Sequence, residues 1–220
     1  MHFLSPFAII PVMIITYFGK QFFKISQGDL TVAFNPVSKA SKSGITTKFG
    51  ADIALITTNH PDYNGLEQLS HGEREPFAVV GPGDYEVKEI FIKGAMTDVS
   101  LAGKSYVNTV YSLAIDGIKI AFLGTMASGD ISKDVRESIS EPDILFIPVL
   151  GKDLLDAKTA GKIASDLEPK MIIPMDYDDA SLKAFLKEMG EEKAEVVDKL
   201  TLKRKDLEGK DGEVIVLQAS

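Results

Sequence analysis

The chain has 220 residues, 45% of them hydrophobic and 25% charged, an ordinary globular composition with enough apolar material for one large core. A net charge of −8 and a pI near 5.0 argue against nucleic acid as a partner, because such a surface repels phosphate backbones. Cysteine is absent, which excludes disulfides, thiolate metal ligands and a cysteine nucleophile together, and fits a cytoplasmic protein.

Phe3 to Phe18 are largely apolar but broken by Pro6 and Pro11. The run falls short of the about 20 apolar residues that a spanning helix needs, and it lacks the basic start and small-residue cleavage site of a secretory signal. Residues 1–12 therefore read as an unstructured extension or a mis-assigned start, with Met13 the alternative initiator, and residues 13–220 as one domain.

From there the first half reads as short strands. Ile14–Phe18 is apolar and Gly19-Lys20 turns the chain; Phe22–Ile25 and Thr31–Phe34 follow, joined by a hairpin signal at Gly28-Asp29. Lys39–Lys48, rich in Ser, Lys and Thr, reads as a loop. Ala51–Thr57 is a nearly continuous apolar run, as in a buried strand, and it ends in the polar stretch Thr58–Asn64. Phe77–Val80, Tyr85–Val87 and Ile90–Ile92 are further strands around Gly81-Pro82-Gly83. Thr109–Ile115 and Ile118–Leu123 flank Asp116-Gly117, a strong two-residue hairpin signature.

The pattern then changes to alternating strand and helix. Ile144–Pro148 and Met171–Pro174 are short apolar strands. Between them lies a helix capped by Asp156, with Ala160, Ile163, Ala164 and Leu167 on one face and Pro169 as its stop. A second helix is expected with Ser181 as its cap, preceded by Asp178-Asp179 or carrying them in its first turn. Leu182, Phe185, Leu186 and Met189 would form its buried face, and Gly190 would end it. Val196–Val197 and Val214–Leu217 close the chain as strands. Two facing sheets with helices outside account for this order.

Chemistry is expected where the buried run ends, at Ile56-Thr57-Thr58-Asn59-His60-Pro61-Asp62-Tyr63-Asn64-Gly65, because a rigid strand positions the loop residues beyond its end. Taken by itself the segment is equally a turn, since Asp and Asn-Gly are common turn residues. Three His residues exist: His2 falls in the extension, His71 falls in the polar stretch Ser70–Glu75 and reads as solvated, and His60 lies in the segment itself. Asp84 and Glu86, beside the Gly81-Pro82-Gly83 turn, read as structural.

In register, this segment resembles the His-x-His-x-Asp-His loop of the metallo-β-lactamase superfamily. His60 and Asp62 match the second His and the Asp, while Thr58 and Tyr63 stand where the first and last His belong. Gly81-Pro82-Gly83-Asp84-Tyr85-Glu86-Val87, Phe91-Ile92-Lys93-Gly94 and Asn108-Thr109-Val110-Tyr111 are similar to the branch related to L-ascorbate-6-phosphate lactonase. That branch has a His in the loop after Gly94, and Ala95–Ser100 contains none. Its bridging Asp follows a Leu-Gly pair, where this chain has Leu123-Gly124-Thr125. Its last His follows Ile-Pro-Met, where this chain has Ile173-Pro174-Met175-Asp176.

The resemblance implies an α/β (α+β) fold, an αββα four-layer sandwich, with a degenerate metal site. In the intact family two metals lower the pKa of a bridging water to about 7, and each needs roughly three protein ligands. The remnant ligand candidates here are His60, Asp62 and Asp176, with Thr58, Tyr63, Asn64 and Thr125 lining the pocket. No cofactor is expected; the alternative is one divalent metal, Mn²⁺, Mg²⁺ or Zn²⁺, on the His60/Asp62/Asp176 set. Three functions follow. The first is a non-catalytic or metal-free member that binds a small-molecule ligand or assembles through its surface. The second is a mononuclear hydrolase of a lactone or phosphoester, with Asp62 as metal ligand or general base and His60 as ligand. The third is a scaffold, such as a homo-oligomer.

Overall fold

The structure, a computed structural model, describes residues 12–70, 72 and 75–220. Most of the expected extension, residues 1–11 with His2, lies outside the described residues, and so does His71. In chain order the described elements begin with β1 (Met13–Tyr17), β2 (Phe23–Gln27), β3 (Leu30–Phe34), β4 (Ile53–Leu55), β5 (Phe77–Val79), β6 (Gly83–Val87), β7 (Ile90–Leu101), β8 (Lys104–Ile115) and β9 (Ile118–Phe122). They continue as α1 (Lys133–Ser138), β10 (Ile144–Pro148), α2 (Ala157–Leu167), β11 (Met171–Met175), α3 (Asp179–Met189), β12 (Glu195–Val197), β13 (Lys199–Leu202) and β14 (Glu213–Leu217).

Two sheets face each other. One runs β13-β1-β2-β3-β4-β5 and the other β12-β14-β11-β10-β9-β8-β7-β6. β1, β2 and β3 are an antiparallel meander, with β4 and β5 added in parallel. β9, β10 and β11 are parallel, β14 is parallel to β11, and β6 to β9 are antiparallel. Alternation along β1 and β2 puts Met13, Ile15, Tyr17, Phe23 and Ile25 on the inner face, where they meet Phe122, Phe146, Ile173 and Leu217 from the opposite sheet. Phe34 stacks on Phe122 with ring centroids 4.6 Å apart, and Phe23 meets Phe146 edge-on at 4.9 Å.

The outer layers differ. Over the eight-stranded sheet, α2 presents Ala160, Ile163, Ala164 and Leu167 to Leu145, Ile147 and Ile172, as its spacing predicts. Over the six-stranded sheet the cover is mostly loop: Val37, Ile45, Phe49, Leu66 and Leu69 pack on Phe22, Ala33 and Ala54, and the only helical piece there among the described residues is the single 3-10 turn Leu66–Gln68.

Asp156 caps α2, its side chain accepting from Thr159 N at 2.7 Å. The cap of α3 is Asp178 rather than Ser181: Asp178 Oδ1 accepts from Ser181 N at 2.8 Å, and Ser181 Oγ accepts from Asp178 N at 3.0 Å, a reciprocal box. Either residue type can cap, and the second bond decides for Asp178. Of the expected α3 face only Phe185 is fully buried. Ala95–Ser100, expected as loop, continue β7, which pairs with β8 out to Leu101↔Lys104. Asn64-Gly65 opens a single turn and no longer helix. The Asp116-Gly117 hairpin is as expected, with both residues in the left-handed region at φ 50° and 71°.

Candidate functional site

The parallel strands β9, β10 and β11 end at one rim, and so do β3 and β4, which is where an open α/β sheet places its functional groups. Asn35 follows β3, Thr57 and Thr58 follow β4, Thr125 follows β9 and Asp176 follows β11, while Gln21 reaches the rim from the β1–β2 turn. The two sheets are joined here: Thr109 N donates to Thr57 O at 2.8 Å, Thr58 forms an isolated bridge with Asn108, and Tyr111 OH donates to Ile56 O at 2.9 Å.

Two hydrogen-bonded groups fill the rim. In the first, Asp176 Oδ2 accepts from Tyr63 OH at 2.7 Å and from Gln21 Nε2 at 3.1 Å. Gln21 Oε1 in turn accepts from Asn35 Nδ2 at 2.9 Å, and Asn35 Oδ1 accepts from Thr57 N at 2.8 Å. In the second, the Thr58 and Thr125 hydroxyls lie 2.6 Å apart. Asn108 Oδ1 accepts from Thr125 N at 2.8 Å and from Thr125 Oγ1 at 3.1 Å, while Asn108 Nδ2 donates to Leu123 O at 3.0 Å and Thr97 Oγ1 at 2.9 Å. The groups touch through Thr57 and Thr58, whose hydroxyls are 3.5 Å apart. Gly124 makes this approach feasible. Its φ is +59°, and a Cβ there would sit 2.4 Å from Asn108 Oδ1 and 2.6 Å from Thr57 Cβ.

At the mouth, Lys20 Nζ lies 3.0 Å from Asp62 Oδ2, and Ser41 Oγ donates to Asp62 Oδ1. His60 Nδ1 accepts the Asp62 N–H at 3.2 Å, and its ring stands edge-on to Tyr106 with centroids 5.6 Å apart. Tyr106 belongs to the long β7–β8 hairpin. Val99 and Leu101 from that hairpin pack with Leu154 over Tyr63, and Ala102 N at its tip donates to Asp153 Oδ2 at 2.8 Å.

Electrostatics separates the two carboxyls. Burial alone would raise the Asp62 carboxyl, but the Ser41 hydrogen bond and the Lys20 ammonium outweigh it and hold Asp62 below the ordinary carboxylate value. Burial dominates at Asp176 and pushes it up, with the Asp62 charge adding to the rise against Lys20, Tyr63 and Gln21. Burial and the Asp176 charge also push the Tyr63 phenol far up, so it stays a neutral donor.

Of the residues expected from sequence, Thr58, Tyr63, Thr125 and Asp176 meet in the buried layer. His60 and Asp62 stand at its mouth, and Asn64 joins neither group, its amide donating to Asn59 Oδ1 at 2.7 Å. Sequence reasoning missed Lys20, Gln21, Asn35 and Asn108. Gln21 and Asn35 did leave a trace, each being a lone amide beside fully buried aromatics, Phe22 and Phe34. Two hollows of about 720 and 540 Å³ lie elsewhere. The first is lined by Arg136, Lys162 and Glu188, the second by Tyr85, Phe91, Lys93 and Pro142.

Two facing sheets with this polar rim define a metallo-β-lactamase-type sandwich. The family model of the beta-lactamase superfamily domain matches residues 14–176, and the chain belongs to that family. Among solved structures it is similar to a proposed Zn-dependent hydrolase of the metallo-beta-lactamase superfamily from Thermotoga maritima. The two are 27% identical with a TM-score of 0.74, over 93% of this chain and 98% of that one. A proposed metal-dependent hydrolase from Parabacteroides distasonis (17% identity, TM-score 0.67, 94% of each chain) and a metallo hydrolase from the archaeon Ignicoccus hospitalis (16%, 0.62, 95% and 96%) share the fold. No curated relative matches in sequence.

The fold family implies a metal centre at this rim, and the residues present do not fit one. Among the described residues no three His, Asp or Glu side chains converge as a cation requires. Thr58 and Thr125 are neutral oxygens already bonded to each other, Tyr63 is held as a phenol, and an ammonium sits on Asp62. Nor does the layer contain an orphan for a cation to satisfy: the fully buried side-chain N or O atoms without partners among the described residues are Gln27 Oε1 and Gln68 Oε1, both outside it.

Proposed function

We propose that this chain is a metal-free, non-catalytic member of the lactonase-like branch of its superfamily, acting in the cytoplasm by binding a small molecule at the mouth of the former metal cleft. The observation that carries the metal-free reading is the 2.6 Å contact between the Thr58 and Thr125 hydroxyls. Two oxygens that satisfy each other at hydrogen-bond distance have no need of a cation between them. The Asp62 carboxylate, ionised and engaged by Lys20 and Ser41, is also a weak general base, because each of those contacts stabilises its charged form.

Metal analysis of protein purified without chelator tests the metal-free reading, which expects less than one tenth of an equivalent of Zn, Mn or Fe. Stoichiometric metal that disappears in Asp62→Ala or Asp176→Ala would establish the mononuclear hydrolase instead. Ligand binding is tested by thermal unfolding with phosphorylated sugars and lactones, since a molecule that binds the native state alone raises Tm. If none does so, and the protein self-associates in sedimentation, the scaffold reading takes over.

A further inference from the structure

Past Gly94 the strand β7 leaves its partner β6, and the pairing of β8 with β9 begins only at Tyr111. Between those points the two arms pair with each other, from Ala95↔Val110 out to Leu101↔Lys104, as a two-stranded ribbon that reaches over the rim. Its base is fixed: Asn108 bridges to Thr58, and Asn108 Nδ2 donates to Thr97 Oγ1 at 2.9 Å. Its outer part is held lightly. Of residues 98–107 only Val99 and Leu101 are buried, whereas every residue of β10 and β11 is. Those two side chains lie with Leu154 on Tyr63, whose hydroxyl reaches Asp176, and the Tyr106 ring stands edge-on to His60. Ala102 and Gly103 turn the ribbon in left-handed conformations, at φ 49° and 78°, and Ala102 N donates to the exposed Asp153 carboxylate at 2.8 Å.

We propose that the outer part of this ribbon, residues 98–107, is a lid over the mouth of the cleft: it opens about its base as a unit, separately from unfolding of the sandwich, and Asp153 is its latch. The proposal rests on the ligand-site reading above and names what controls entry to that site. A two-stranded ribbon is marginally stable by itself, so its closed position depends on what the tip touches. Here that is a small apolar contact and a hydrogen bond within reach of water. Segments with few buried contacts open at a lower free energy than the core they rest on. The tight turn and the cross-strand pairing keep the tip intact when the contact parts, and lifting it uncovers the Tyr63 ring and the side of His60 that faces Tyr106.

Cysteine is absent from the chain, so a single introduced thiol reports opening. Val99→Cys places it on the underside of the lid and Leu154→Cys on the surface the lid covers, with Val110→Cys, fully buried in the sheet, as the control. Reaction of each folded, full-length variant with the thiol reagent DTNB is followed against urea at neutral pH. Val99→Cys and Leu154→Cys are expected to react at comparable rates, at least about tenfold faster than global unfolding allows. Their rates should depend little on urea, because a local opening exposes little surface. Val110→Cys is expected to react only through global unfolding, with its full urea slope. Adding Asp153→Ala should speed Val99→Cys about two- to tenfold, the loss of one hydrogen bond. If Val99→Cys does not fold, Leu154→Cys with and without Leu101→Ala reads the same step. A lid thiol that reacts at the control's rate and slope, or one fast thiol with the other slow, overturns the proposal. An unchanged rate on adding Asp153→Ala overturns the latch. The labelling needs no ligand, so these outcomes leave the ligand-site reading standing; failure of every compound to raise Tm removes that reading and not the lid.

Discussion

The two halves of the polar layer solve one problem differently. In the Asn108 half every group is neutral: two hydroxyls, an amide and backbone. Asn108 serves as a hub that accepts from Thr125 and donates to Leu123 and Thr97. In the Asp176 half a carboxyl that is 4% exposed is held by a phenol and an amide, and its pKa is driven up by burial. The neutral half is satisfied at any pH. The charged half carries a desolvation cost that grows as the carboxyl ionises. Both occupy the rim where the superfamily fold would place metal, yet only the second carries ionisable side chains, Tyr63 and Asp176.

The strongest way to break this contrast is at the hub. Asn108→Leu strands Thr125 N and Leu123 O in a dry site, and at about 1–3 kcal/mol for each orphaned group it is expected to cost about 3–5 kcal/mol. Urea unfolding reads this as a lower midpoint with an unchanged slope, and a loss below about 1 kcal/mol would show that the hub is dispensable.

A pH profile sharpens the contrast next. The folded-state pKa of Asp176 is raised, so the native state binds more protons than the unfolded chain. Stability is therefore expected to fall as pH rises from about 3.9, the unfolded value, towards the raised value. Asp176→Asn should flatten that slope and leave the protein at least as stable as wild type at neutral pH. Asp62 is shifted the opposite way: its contribution is present above about 3.9 and is lost as pH falls through the depressed folded value, so Asp62→Asn should flatten the acid limb alone. Stability curves across this range for both variants check the signs.

A smaller effect is expected from the hydroxyl pair. Thr58→Val removes one hydroxyl and leaves Thr125 with Asn108, a loss of about 1 kcal/mol. Thr58→Val/Thr125→Val removes both partners with shape kept, so the double loss should be less than the sum of the singles in a double-mutant cycle. Smallest of all is Asn64→Ala. Its side chain bonds only to exposed Asn59 among the described residues, and the expected change is within about 0.5 kcal/mol; a larger change, or a loss of ligand binding, would move Asn64 into the site.

Much of the fold was legible because its signals are local. The Asp116-Gly117 hairpin needs two left-handed residues and has them. The face Ala160, Ile163, Ala164, Leu167 is buried as its spacing requires. Strand Ala95–Ser100 was not legible, because its partner is the equally polar Ser105–Val110 and the two arms hold each other through backbone pairing rather than through an apolar pattern. Helix α1 was missed for a related reason: in its six residues only Val135 and Ser138 are buried, too few to show a period. Of the site, the four buried positions Thr58, Tyr63, Thr125 and Asp176 were found through their places in a family pattern, and their chemistry told which donors were gone. The partners of these residues were not visible: Lys20 reads as a turn residue, Gln21 lies between that turn and the strand read over Phe22–Ile25, and Asn35 follows the strand read over Thr31–Phe34.

The sequence by itself determined the strand and helix grammar, the two-sheet sandwich and the poverty of metal-type side chains, because each of these depends on residue identity and near spacing. Only the tertiary structure decided which polar groups complete one another. Gln21 meets Asp176 across 155 residues and Thr58 meets Thr125 across 67, and a hydrogen bond depends on distances of about 3 Å that no sequence interval encodes.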